Sequence, residues 1–190
     1  MSLNRIAALL LPLAVAAPAF AGSELPLAPF HALDLHGGGN VVIRHGSIQR
    51  VTLLAGNTQN SALTVKDGKL EIVGCTSWWS CPWGYELKVE IVTPGLDNIE
   101  VHGGGDLKSS GAFPGQDRLV VSVHGGGDVD LRSMPADNVS ADVHGGGDLA
   151  TTAVKSLSGA VYGGGDLTYY GDPAKLNVAT HGGGDITHGS

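Results

Sequence analysis

The tripeptide Gly-Gly-Gly occurs six times in this chain, each time just after an aromatic ring and just before an acid or amide. The ring is histidine in five copies and tyrosine in one, at His36, His102, His124, His144, Tyr162 and His181. The last four intervals are 22, 20, 18 and 19 residues, and the first is 66, about three such steps. A near-constant period with the same corner residues predicts a repeat architecture in which each unit buries its apolar face only against its neighbours. With 30 glycines but no Gly-X-Y period, collagen is excluded, and the regularly placed valines and leucines argue against disorder.

Alternation with a period of two runs up to each corner and resumes after it. In Val121-Ser122-Val123-His124 the valines share one face, while Ser122 and His124 share the other. Beyond the glycines an acid points out and an aliphatic points in, as in Asp106-Leu107, Asp128-Val129, Asp148-Leu149, Asp166-Leu167 and Asp185-Ile186. Val101, Val123, Val143 and Val161 are therefore expected in one interior column. Short runs such as Val41-Val42-Ile43, Leu63-Thr64-Val65 and Leu87-Lys88-Val89-Glu90-Ile91, separated by Gly, Asn, Asp and Pro, read as strands. No amphipathic helix is found after residue 21. The expected fold is all-β, a single-domain parallel β-solenoid with right-handed coils of about 20 residues and Gly-Gly-Gly-Asp corners. About eight coils would fit, giving a rod of roughly 40 Å.

Residues 1–21 read as a secretory signal: Arg5 supplies the positive start, Ile6 to Val15 the apolar stretch, and Ala19-Phe20-Ala21 the cleavage site. Pro12 and Pro18 interrupt a run already too short to span a bilayer. No cysteine follows the cleavage site to carry a lipid anchor, and no later segment resembles a membrane span. Residues 22–29 read as a leader and 30–190 as the single domain. Loss of Arg5 with the signal takes the net charge from -7 to -8, which argues against nucleic acid and anionic lipid as partners. In an exported chain, Cys75 and Cys81, flanking Thr-Ser-Trp-Trp-Ser, are expected to form a local disulfide, with a two-thiol metal site as the alternative.

Several segments resemble one known family. Phe30-His31-Ala32-Leu33-Asp34-Leu35 through Val41-Val42-Ile43, then Val65-Lys66-Asp67-Gly68-Lys69-Leu70-Glu71-Ile72, are similar to the opening of the head GIN domain. Leu87 to Leu96, leading into Ile99-Glu100-Val101, continues the likeness, and Tyr170-Gly171-Asp172-Pro173 resembles its closing Gly-x-Pro strand. The family is described as heads of auto-transporter adhesins. What the resemblance implies is a β-helix-like domain of the cell envelope with no assigned chemistry. This chain departs from the family pattern in its histidines before the corners, in Gly-Gly-Gly-Asp where Gly-Ser-Gly-Asp is usual, and in its Trp-rich disulfide loop. No translocating barrel follows before Ser190, so a self-contained auto-transporter is not expected.

Three features carry candidate chemistry. His36, His102, His124, His144 and His181, stacked at ~4.8 Å from coil to coil, can converge on zinc, copper or nickel, with His124 as the central ligand. The neighbouring row of Asp106, Asp128 and Asp148, continued by Asn40, Asp166 and Asp185, can add oxygen ligands or hold calcium. The opposing reading is that the rings only stack and the carboxylates satisfy turn amides, and Tyr162 in the histidine row favours it. The calcium-binding glycine–aspartate repeat of secreted toxins recurs every nine residues and fits this spacing poorly. Trp78, Trp79 and Trp83 cluster at the disulfide loop, where they either bind a glycan or partner or cap the apolar core.

For catalysis the chain offers no Gly-x-Ser-x-Gly elbow, and a motif copied six times points to construction. The expected function is a non-enzymatic, exported binding or adhesin-like module, in the periplasm or on the surface of a Gram-negative-type bacterium. Its partner would be an envelope protein or a glycan, with a homodimer through exposed ends as a further expectation. A periplasmic transition-metal-binding protein is the second reading, and a polysaccharide-active β-helix enzyme the third.

Overall fold

The computed structural model describes residues 22–76 and 81–190; the expected signal segment lies outside them. Every regular element among these residues is a strand. In chain order they are β1 (Ser23–Leu25), β2 (Ala32–Gly37), β3 (Asn40–His45), β4 (Arg50–Ala55), β5 (Ala62–Lys66), β6 (Lys69–Val73), β7 (Lys88–Thr93) and β8 (Asn98–Gly103). They continue with β9 (Asp106–Ser110), β10 (Gln116–Gly125), β11 (Val129–Gly145), β12 (Leu149–Gly163), β13 (Leu167–Tyr170), β14 (Lys175–Gly182) and β15 (Ile186–His188).

The glycine corners divide the sheet into two stacks of parallel strands. Before the corners, β2, β8, β10, the second half of β11, the second half of β12, and β14 lie side by side in register. After the corners, β3, β9, the starts of β11 and β12, then β13 and β15 do the same. Alternation puts Val101, Val123, Val143 and Val161 in direct register, each 0% exposed. Leu35 extends that column, and Val41, Leu107, Val129, Leu149 and Leu167 form its buried counterpart beyond the corners. No single rung has enough apolar surface to exclude water alone, so the core exists only once rungs stack.

The regular parallel solenoid is not what forms. All fifteen strands belong to one sheet of mixed orientation, an open half-barrel, and of the expected fold class the all-β part holds. Three pairings are antiparallel: β1 with β4, β4 with β7, and β5 with β6. The 66-residue first interval is not three coils, because β2 pairs directly with β8 and His36 sits opposite His102. The residues between fold back instead. Asp67 (φ 51°) and Gly68 (φ 76°) make a two-residue turn with both centres left-handed, the geometry that returns a strand antiparallel beside its predecessor. Strand β4 likewise reverses along β7, and β1, from the segment read as a leader, adds to its outer edge. Further along, β11 and β12 run 17 and 15 residues, passing from one stack into the other without a break. Among the described residues no helix is long and apolar enough to cross a membrane.

Candidate functional site

Each corner histidine is the last outward residue before the glycines, so register alone stacks the rings. His36, His102, His124, His144, Tyr162 and His181 form one continuous column with centroids 4.7–4.9 Å apart and planes within 10° of parallel. Tyr162 takes its place in the column without changing the spacing. The imidazole of His124 is held below its ordinary pKa, first by partial burial and then by the neighbouring His144 and His102, which disfavour adjacent positive charges.

The carboxylates beyond the corners form a second row whose chemistry is mostly backbone satisfaction. Oδ1 of Asp106 accepts the amide N–H of Asp128, and the pattern repeats from Asp128 to Asp148, Asp148 to Asp166 and Asp166 to Asp185, at 3.4 to 2.8 Å. These amides offset the repulsion expected of stacked acids. A groove of about 580 Å³ runs along the row, lined by Asn40, Asp106, Asp128, Asp148 and Asp166, with Lys108 among its walls. Among the described residues, no aspartate of this row gathers with a corner histidine into a three-ligand cluster.

One such cluster does form, at the His36 end of the column. Asp34, His36 and His102 bring one ligand atom each within 4.8 Å of one another. Asp34 Oδ1 lies 2.9 Å from His36 Nε2 and 3.7 Å from His102 Nε2. The first distance is short enough for a hydrogen bond, but the alignment is not there, and Oδ1 is buried without a hydrogen-bond partner. Lys69 Nζ stands 3.6 Å from Asp34 Oδ2 and 3.0 Å from Glu100 Oε1, and Glu100 Oε2 is 3.7 Å from His102 Nε2. The Lys69 hydrogen bond raises that amine's pKa and lowers that of the Glu100 carboxyl. Asp34 is not among the residues that the corner motif singles out, although the alternation Leu33-Asp34-Leu35-His36 already puts it on the histidine face.

The third candidate lies on the excursion between β6 and β7. Cys75 and Cys81 are joined in a disulfide, and no free cysteine remains. Around the bond the loop is tied down: Gly74 N–H donates to the His36 carbonyl, Thr76 N–H to that of Asn60, and the Tyr85 hydroxyl contacts Ser61 Oγ at 2.7 Å. Trp78 and Trp79 lie outside the described residues. Trp83 has a relative exposure of 104% and packs on nothing in the core. Its chain neighbours Pro82 and Gly84 border a pocket of about 370 Å³ that Asn40, Tyr85 and Glu86 also line.

A solved structure, a putative adhesin from Bacteroides fragilis, shares the fold: it is 19% identical with a TM-score of 0.51, covering 88% of this chain and 95% of its own. A putative adhesin from Parabacteroides merdae (12%, TM-score 0.41, 90% and 96%) and a putative cell adhesion protein from Clostridium sporogenes (14%, TM-score 0.42, 88% and 100%) are more distant. No curated protein matches the sequence. The family profile described as putative auto-transporter adhesin, head GIN domain, matches residues 29–117 and 114–173. With most of its length inside that profile, the chain belongs to the head GIN domain family.

Proposed function

We propose that this protein is an exported, non-enzymatic binding module of the cell envelope, adhesin-like in role, whose disulfide-tied loop presents Trp83 to a glycan. The observation that carries the reading is Trp83 itself. A tryptophan left wholly in water gives up the apolar burial that usually decides its position, which makes sense if a ligand face covers it later. A sugar fits better than a wholly apolar partner, because the pocket bordered by Pro82 and Gly84, the chain neighbours of Trp83, offers Asn40 and Glu86 as polar groups. The family description supports a surface role, and the sequence-based expectation of a secretory signal supports export. A glycan array probed with the full chain tests the reading. Binding to a defined group of glycans supports it; an array without signal above an unrelated exported control refutes it.

A further inference from the structure

We propose that Asp34, His36 and His102 form a binding site for a divalent transition ion of the zinc class. The site is independent of the Trp83 loop, so either proposal can fail without the other.

A tetrahedral zinc ion with ligands at ~2.0–2.1 Å holds its donor atoms about 3.3 Å apart. Asp34 Oδ1 already stands 2.9 Å from one imidazole nitrogen and 3.7 Å from the other, bracketing that edge. Parallel rings aim their nitrogen lone pairs alongside one another, so His36 and His102 must tilt toward a shared ion. Both side chains are more than a third exposed, 39% and 36%, and have room to do so. The buried Oδ1 of Asp34, without a hydrogen bond, is a donor site that a cation would satisfy. Two imidazoles and one carboxylate leave a fourth position for water, which is an accepted zinc arrangement.

The rest of the ring column lacks this partner. The outward residue two places before the ring is Asp34 and Glu100 in the first two rungs, but Ser122 before His124, Ala160 before Tyr162 and Ala179 before His181. Asp142, before His144, already accepts the amide N–H of Ala160 on its Oδ1 at 3.0 Å. The donors therefore gather at the first two rungs and not around His124. Lys69 holds its ammonium 3.6 Å from Asp34 Oδ2, where it competes with an incoming ion for that carboxylate.

Titration calorimetry with zinc(II) on the full chain tests the site. The wild type should bind one ion. Asp34→Asn and His102→Ala should each weaken binding at least as much as the ~10- to 100-fold typical of losing a residue that only orients a ligand. His181→Ala, at the far end of the column, should leave affinity unchanged, and Lys69→Gln should tighten it. Asp34→Asn keeps the side-chain shape, and an unchanged unfolding midpoint shows that its loss is not misfolding; if it fails to fold, the unchanged affinity of His181→Ala against the loss in His102→Ala, and the tighter binding of Lys69→Gln, still decide. No heat above buffer with the wild type, equal losses for His102→Ala and His181→Ala, or a Lys69→Gln variant that binds no better would each overturn the proposal.

Discussion

Replacing single glycines within one corner separates the residues that hold the rungs together from the one that does not. In the corner that follows His144, a Cβ added at Gly147 would fall well inside van der Waals contact with the carbonyl oxygen of Gly127 on the rung below. That oxygen is backbone, so relief requires the rungs to separate. Separation stretches the bonds that Gly146 N–H and Gly147 N–H both donate to the Gly125 carbonyl, at 2.8 and 3.0 Å. Two backbone bonds at about 1 kcal/mol each, with the desolvation of a carbonyl left unpaired, put Gly147→Ala at roughly 2–4 kcal/mol destabilising. Gly146, one residue earlier, has nothing within 4 Å of a would-be Cβ, and its φ is not left-handed. Gly146→Ala should therefore be neutral, or stabilising by about 0.4–1 kcal/mol through a less flexible unfolded chain. Urea unfolding followed by circular dichroism, comparing midpoints at constant slope, measures both. Equal midpoints for the two variants would refute the close-approach reasoning.

Three further outcomes follow. Gly145→Ala combines a left-handed φ of 129° with overlap on the Gly125 carbonyl, so it should unfold at lower urea than Gly146→Ala; parity between them would contradict the corner geometry. Reducing the Cys75–Cys81 bond, whose sulfurs join residues six apart, should cost no more than about 2 kcal/mol and leave the rungs folded; loss of the β signal on reduction alone would show that the bond holds the whole domain. Hydrogen bonds from Arg132 hold the Asp130 carboxyl below its ordinary pKa, so the pair's contribution is complete above about pH 4 and is lost as pH falls through the folded-state value. Asp130→Asn should accordingly flatten the acid side of the stability profile, and a profile identical to wild type would count against that pairing.

How far the sequence reveals the fold depends on which interactions are local. The corner motif and its alternation foretell the valine column and the stacked rings, because a two-residue period and a repeated corner are enough to set the register. The first interval of 66 residues is opaque to the same logic, since its length resembles three coils while its residues make hairpins. Asp67-Gly68 between Val65-Lys66 and Lys69-Leu70 is a strong two-residue hairpin signal, and it marks the place where parallel winding fails. Nor does the repeat show that β11 and β12 continue without a break between stacks, since that depends on neighbouring strands accepting them on both sides. At the candidate sites, face alternation places the histidines and also places Asp34. Which rungs carry an outward carboxylate is readable two residues before each ring, but that Oδ1 of Asp34 lacks a hydrogen bond is a matter of three-dimensional alignment.

The central claim is that Trp83 stands in solvent to meet a sugar, and titration of the strongest array glycan into three proteins tests it most directly. Against the wild type, Trp83→Ala should lose about 30-fold in affinity, the ~2 kcal/mol of an aromatic anchor, while Trp83→Phe retains most of it. Equal affinity for all three would contradict the account and leave Trp83 as an exposed side chain without a ligand.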